Sequence, residues 1–162
     1  VHQARRLGAH PRSQAQVDAL RVPEPRESVP FVFEILRSLR RELASRHIPL
    51  LGFAGAPFTL AAYLVEGQGS KDFSTLKRML HREPALLRRL LERLTEMTIG
   101  YLDAQIEAGA QAVQLFDTWA GLLSAADYRE SLRRYHPVVY VDGRRVESVA
   151  DEPALARWQG CP

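Results

Sequence analysis

The chain reads as an α/β protein with two recognisable parallel strands and amphipathic helices. Three observations carry that reading. Two short apolar runs, IPLLGFAGA and AQAVQLFD, have the length of buried strands rather than helices. The stretch between them is helical in period. Two strands joined by a helical crossover form a βαβ unit, which pairs its strands in parallel. The residues alone leave a doubly wound sheet and part of a barrel both open. A complete (β/α)8 barrel takes roughly 250 residues, and this chain has 162.

The elements follow in order. Residues 1–27 carry weak signals: VHQARRLGAHPRSQ is basic and aperiodic, and LRVPEPRE is a Pro-rich connection. A helix starts near Ser28, with Val32, Ile35, Leu36, Leu39 and Leu43 at helical spacing. The first strand follows, and Pro57 then stands as the first residue of the helix FTLAAYLVE, which Gly67 and Gly69 end. Ser70 and Asp72 offer caps to a helix carrying Phe73, Leu76 and Leu80.

The longest element runs from about Pro84 to Ala108. Leu87, Leu90, Leu91, Leu94, Met97, Tyr101, Leu102 and Ile106 form its apolar stripe, and Gly109 stops it. The second strand comes next, then the loop TWAGLL. Serine and aspartate three apart in SAADY make a variant capping box for a helix reaching about Tyr135. A discontinuity falls near residues 135–138. VVYVDGRRVESV alternates around Asp142–Gly143, the residue pair of a tight hairpin. The expected organisation is an irregular segment over 1–27, the α/β part over 28–135 and a divergent tail over 136–162.

Composition narrows the classes. Hydrophobic residues at 46% and charged residues at 25% fit a soluble globular protein. The net charge of +3 comes without a dense basic run. Arginines alternate with glutamates, which describes solvated helix faces rather than a nucleic-acid surface. Cys161 is the single cysteine, which rules out an internal disulfide framework and fits a reducing compartment. No apolar run reaches the 18 or so residues of a membrane span, and no signal peptide is visible. The expected location is the cytoplasm.

Candidate chemistry gathers at the carboxyl ends of the two strands, the end where parallel sheets bind ligands. The first end reads Phe53-Ala54-Gly55-Ala56-Pro57, and the second Phe116-Asp117-Thr118-Trp119-Ala120-Gly121. Small residues there admit either a ligand or a closely packed helix. Thr59, Tyr63 and Glu66 share one helical face. Asp117 directly follows an apolar strand, so it is paired, caps a helix or serves a site. His2, His10, His47, His81 and His136 show no metal-ligand spacing. No Walker loop and no G-x-S-x-G elbow are present.

Two stretches, GFAGAPFTLAAYLVEGQGSKDF and QIEAGAQAVQLFDTWAGLLSAADYRE, closely resemble bacterial uroporphyrinogen decarboxylases. The similarity starts near Gln14, in AQVDALRVPEP, and runs to about Tyr135. The resemblance implies a (β/α)8 TIM barrel, of which this chain holds a central part. It implies a homodimer in the full-length family, and no metal or organic cofactor. It implies decarboxylation of the four acetate groups of uroporphyrinogen to give coproporphyrinogen. By motif, Phe53 lines the substrate pocket, Tyr63 sets its hydroxyl against the substrate, and Thr118 hydrogen-bonds a substrate carboxylate; Asp117 is a weaker candidate.

The chain also departs from the family pattern. The family's N-terminal R-Q-A-G-R stretch, its downstream aspartate and its C-terminal histidine region have no counterpart at the right distance. HQARR, from His2 to Arg6, lies too close to AQVDALRV to stand for the first of these. No catalytic residue is therefore assigned, and the isolated chain is expected to be weakly active or inactive. A truncated or frame-disrupted gene product would explain the loss of similarity on both sides. Two other readings compete. A corrinoid-dependent methyltransferase of the same superfamily would need zinc ligands, against which the lone Cys161 and scattered histidines speak. A non-enzymatic interaction fragment would expose strand edges and apolar helix faces.

Overall fold

A computed structural model describes residues 11–67, 72–124, 126, 127, 129, 139–141 and 144–146. The chain divides into two units, Val1–Thr118 and Trp119–Pro162.

In the first unit the elements are α1 (Gln14–Asp18), α2 (Pro25–Ser28), α3 (Pro30–Ala44), β1 (Leu51–Gly55), α4 (Pro57–Glu66), α5 (Ser74–Arg82), α6 (Pro84–Glu107) and β2 (Ala112–Phe116). Two short helices thus stand in the segment read as irregular. Ser13 caps α1 by accepting from the Gln16 N–H, and Glu24 caps α2 by accepting from Arg26. Proline occupies the first turn of α2, α3, α4 and α6, where its missing N–H costs nothing.

Helix α6 organises this unit. Its 24 residues span about 36 Å, and it touches α1 to α5 and both strands. Leu87, Leu90 and Leu94 are buried along it. Phe33, Leu36, Leu50, Ala104 and Ala108 form a core cluster between α3, the start of β1 and the end of α6. Tyr101 sets its ring edge-on to Phe33, 6.0 Å away, and burial raises the Tyr101 hydroxyl above its usual pKa of 10.0. Gly109 ends α6 at a φ of +112°, a region that disfavours side chains, and Arg40 fills the space where a Cβ would sit.

The two strands pair in parallel, with Leu51 opposite Ala112 and Gly55 opposite Phe116. This is the expected βαβ unit. Burial differs from the expectation. Gly52 and Ala54 of β1 are buried, but every residue of β2 is exposed. The reason is coverage: α6 closes one side of β1, and among the described residues nothing buries the side chains of β2. Ile35, Leu39 and Ile106, expected in apolar stripes, are also exposed.

Helix α5 is capped differently from the reading of Ser70 and Asp72; Ser70 lies outside the described residues. Phe73 takes the N-cap position in the left-handed region, at φ 47°, without a side-chain cap of its own. Its ring is buried, which offsets a backbone cost of roughly 1–2 kcal/mol. Glu66, at the end of α4, reaches across and accepts from the Leu76 N–H at 2.9 Å. Arg12 closes the same end of α4 by donating to the Val65 carbonyl at 3.2 and 3.3 Å.

In the second unit, Ala120–Leu122 form a 3-10 turn. Ser124 accepts from the Asp127 N–H at 3.1 Å, as the spacing in SAADY predicts, and its hydroxyl donates to the Asp127 carboxylate at 2.6 Å. Residues 126, 127 and 129 are helical; the other residues of the helix expected to reach Tyr135 lie outside the described residues. Strands β3 (Val139–Val141) and β4 (Arg144–Val146) pair antiparallel as a hairpin, Val141 opposite Arg144. The turn pair Asp142–Gly143 and the chain beyond Val146, with Cys161, also lie outside the described residues.

Candidate functional site

Side chains alternate across a strand, and residues opposite each other in a parallel pair share a face. One face of the β1–β2 pair therefore carries Leu51, Phe53 and Gly55 beside Ala112, Gln114 and Phe116. The other carries Gly52 and Ala54, under α6. The first face is open. Phe53 is 61% and Phe116 52% exposed, and their rings meet edge to face at 5.8 Å. An open aromatic pair between two strands is a wall able to pack a flat, apolar ring.

Both strands end at this wall. The Ala56 N–H donates to the Phe116 carbonyl at 2.9 Å, which carries the pairing to the first turn of α4. There the buried Thr59 hydroxyl donates to the Asp117 carboxylate at 2.7 Å. The three alternatives for Asp117 thus resolve toward pairing. Its partner lies in the first turn of α4, where the helix dipole also favours a negative charge. The bond fixes the chain immediately before Thr118, which is exposed two residues beyond β2.

Tyr63 is the seventh residue of α4, about 9 Å along the axis from its start. It is 41% exposed. The structure places Phe53 in the middle of β1, its ring against Phe116 at the end of β2, Thr118 two residues beyond that end, and Tyr63 on the helix that follows β1. Glu66, on Tyr63's face, is engaged in capping α5.

Two residues outside the expected set shape the wall. The Gln105 carboxamide, 3% exposed, bonds both backbone groups of Phe53. Its oxygen accepts from the Phe53 N–H at 3.0 Å, and its nitrogen donates to the Phe53 carbonyl at 2.9 Å. Gly52 makes this approach possible, because a Cβ there would stand 2.7 Å from the Gln105 oxygen. Spacing could have shown Gln105: Leu94, Thr98, Tyr101 and Gln105 follow one another by four, three and four. Among the described residues no group of three or more His, Cys, Asp or Glu side chains is placed to hold a metal ion. No helix among them is long and apolar enough to cross a membrane.

Comparison with known proteins gives this geometry a context. The family model described as uroporphyrinogen decarboxylase (URO-D) matches residues 3–144. That range is wider than the stretch from Gln14 to Tyr135 over which the motifs read. The uroporphyrinogen decarboxylase of Pelobacter propionicus is 58% identical over 118 residues, covering 73% of this chain and 34% of that protein. That of Geotalea daltonii is 53% identical over 127 residues, covering 78% and 37%. That of Geobacter sulfurreducens is likewise 53% identical over 127 residues. The chain spans 34–37% of the length of these relatives.

Proposed function

The chain belongs to the uroporphyrinogen decarboxylase family, and from that premise we propose that it is the central part of a carboxy-lyase acting on uroporphyrinogen in haem biosynthesis. The observation that carries the reading is the open Phe53–Phe116 wall at the carboxyl end of a parallel strand pair. In a (β/α)8 barrel that end holds the active site. Residues 28–135 are the barrel part in this reading, with 1–27 and 136–162 as flanking segments.

The chemistry asks little of a cofactor. Protonation of a pyrrole carbon lets the ring accept the electron pair of the breaking bond to the carboxylate. Carbon dioxide leaves, the exocyclic methylene takes up a proton to become methyl, and the ring returns its added proton. Phe53 packs against the tetrapyrrole, Tyr63 presents its hydroxyl to it, and Thr118 donates to a side-chain carboxylate. The reading includes a cytoplasmic location, for which the single cysteine in 162 residues speaks. It also includes a homodimer of the full-length protein, without nucleic acid or membrane as partner.

Anaerobic incubation with uroporphyrinogen III, with products separated by carboxylate number, tests the activity. Calorimetry with the same compound tests binding. The chain alone is expected to bind saturably with little or no turnover, and Tyr63→Phe to weaken binding up to about tenfold, the scale of one hydrogen bond. Absence of any binding overturns the reading.

A further inference from the structure

We propose that Asp117 is a positioning residue that holds Thr118 where a substrate carboxylate meets it, with Thr59 as its anchor. The proposal rests on the reading of Thr118 as a substrate contact and deepens it. Its geometry stands on three observations. First, two consecutive residues at the end of β2 are bonded to the start of α4. The Phe116 carbonyl accepts from the Ala56 N–H at 2.9 Å, and the Asp117 carboxylate accepts from the Thr59 hydroxyl at 2.7 Å. Second, the anchor is firm. Thr59 is 5% exposed in the first turn of α4, whereas Thr118 is exposed. Third, α4 also carries Tyr63, four residues after Thr59 and on the same helical face. The helix bearing one of the two hydroxyls read as substrate contacts therefore also holds the chain that leads to the other. All these groups lie in one βαβ unit, between paired consecutive strands, so the contact needs no free strand edge.

The chemistry suits this task. The ligand read for Thr118 is anionic, and a carboxylate one residue away repels it. At Asp117 the Thr59 hydroxyl and the positive end of the α4 dipole both offset that charge. What Asp117 supplies to the site is then an oxygen that accepts a bond, rather than its charge. A plain cap of α4 would stabilise the fold and leave binding alone. A positioning role acts on binding through Thr118, and the two are separable.

The test measures binding of uroporphyrinogen III to the full chain by anaerobic calorimetry, and the backbone order of Thr118 by amide relaxation in NMR. Asp117→Ala and Thr59→Val each remove the bond; Asp117→Asn keeps an acceptor without the charge. Asp117→Ala and Thr59→Val should bind about three- to tenfold more weakly, the scale of one hydrogen bond, and Asp117→Asn should restore binding to within about twofold of the unaltered chain. In a Thr118→Ala background, Asp117→Ala should have no further effect. The Thr118 order parameter should fall from about 0.85 to below about 0.6 in Asp117→Ala and Thr59→Val. It should be kept in Asp117→Asn, and that of Tyr63 should not change. Asp117→Asn binding as weakly as Asp117→Ala would make the charge itself a contact and overturn the proposal. So would an equal loss for Asp117→Ala with and without the Thr118 hydroxyl. Unchanged binding and order in Asp117→Ala and Thr59→Val would leave Asp117 a cap of α4 only. Should Asp117→Ala not fold, Thr59→Val removes the same bond and decides. Absence of binding by the unaltered chain removes the reading of Thr118 as a contact, while the order parameters still decide whether Asp117 positions it.

Discussion

Gly52 and Thr59 show how much of the site depends on single atoms. A methyl group at Gly52 would press on the Gln105 oxygen at 2.7 Å and on the Ala110 Cβ at 3.1 Å. Gly52→Ala should therefore lower stability by about 1–3 kcal/mol in urea unfolding. Thr59→Val keeps the shape of a buried side chain and removes the hydroxyl that donates to Asp117. The expected loss is about 1 kcal/mol, in the same measurement, and it should vanish in an Asp117→Ala background if that bond is the cause. These residues were unequally legible. Phe53, Tyr63 and Thr118 were readable only as what the motifs of the family resemblance imply. Gln105 was not among them: its spacing places it on the apolar stripe of α6, but the bonds that give it a role need the strand beside it. Asp117 was legible as a problem needing a partner, but a partner 58 residues away leaves no trace in local spacing.

Among the elements, the two strands, helices α3, α4 and α6 and the glycine stop of α6 were readable, since each follows from local backbone chemistry, whereas α2 was hidden in what reads as a Pro-rich connection. Burial and capping were less so, because they depend on what lies across the fold. The cap of α5 is the plainest case. Glu66 serves Leu76 across the intervening turn, so Glu66→Ala should destabilise by about 1 kcal/mol. It should also speed exchange of the Leu76 amide before that of residues later in α5. A charge contact ties α1 to α6: Asp18 accepts from Gln14 and from Arg89, the latter at 2.6 Å. Those hydrogen bonds, Gln14 first and Arg89 second, hold the Asp18 carboxyl below its ordinary 3.8. A carboxylate favoured in the folded state stabilises above its unfolded pKa and loses that contribution as pH falls through the folded one. Melting temperature should therefore drop more steeply between pH 5 and pH 3 in the parent than in Asp18→Asn. The exposure of the pair keeps the difference small.

At the scale of the whole molecule, the described residues expose apolar side chains in a row. Phe31, Ile35 and Leu39 follow one another by four on the outer side of α3 and are all exposed, as are Val113 and Leu115 of β2. Surfaces of this kind favour association. Light scattering over a concentration series should show rising apparent mass, and Ile35→Lys with Leu39→Lys should reduce it. Substitutions at such exposed sites should each change stability by less than about 0.5 kcal/mol. An unchanged series would assign any association to the strands instead. The α/β class was legible because the two strands and their crossover lie within one stretch of chain. The wider barrel is a matter of family membership, since the residues that would cover β2 are not among those described.

The pairing of β1 with β2 also has a history in time. Each β1 residue meets a partner 61 positions later in the chain, and the Gln105 carboxamide that serves the other edge arrives 52 positions later. At roughly 5–20 residues per second, a ribosome would make β1 about 3–12 s before β2. During that interval an apolar strand would have neither edge occupied by its final partner. Both partners depend on α6, which carries Gln105 and leads into β2. Helix α6 therefore sets when the strand's vulnerable period ends, so substitutions that slow α6 formation should reduce the soluble yield of freshly made chain more than they lower its equilibrium stability.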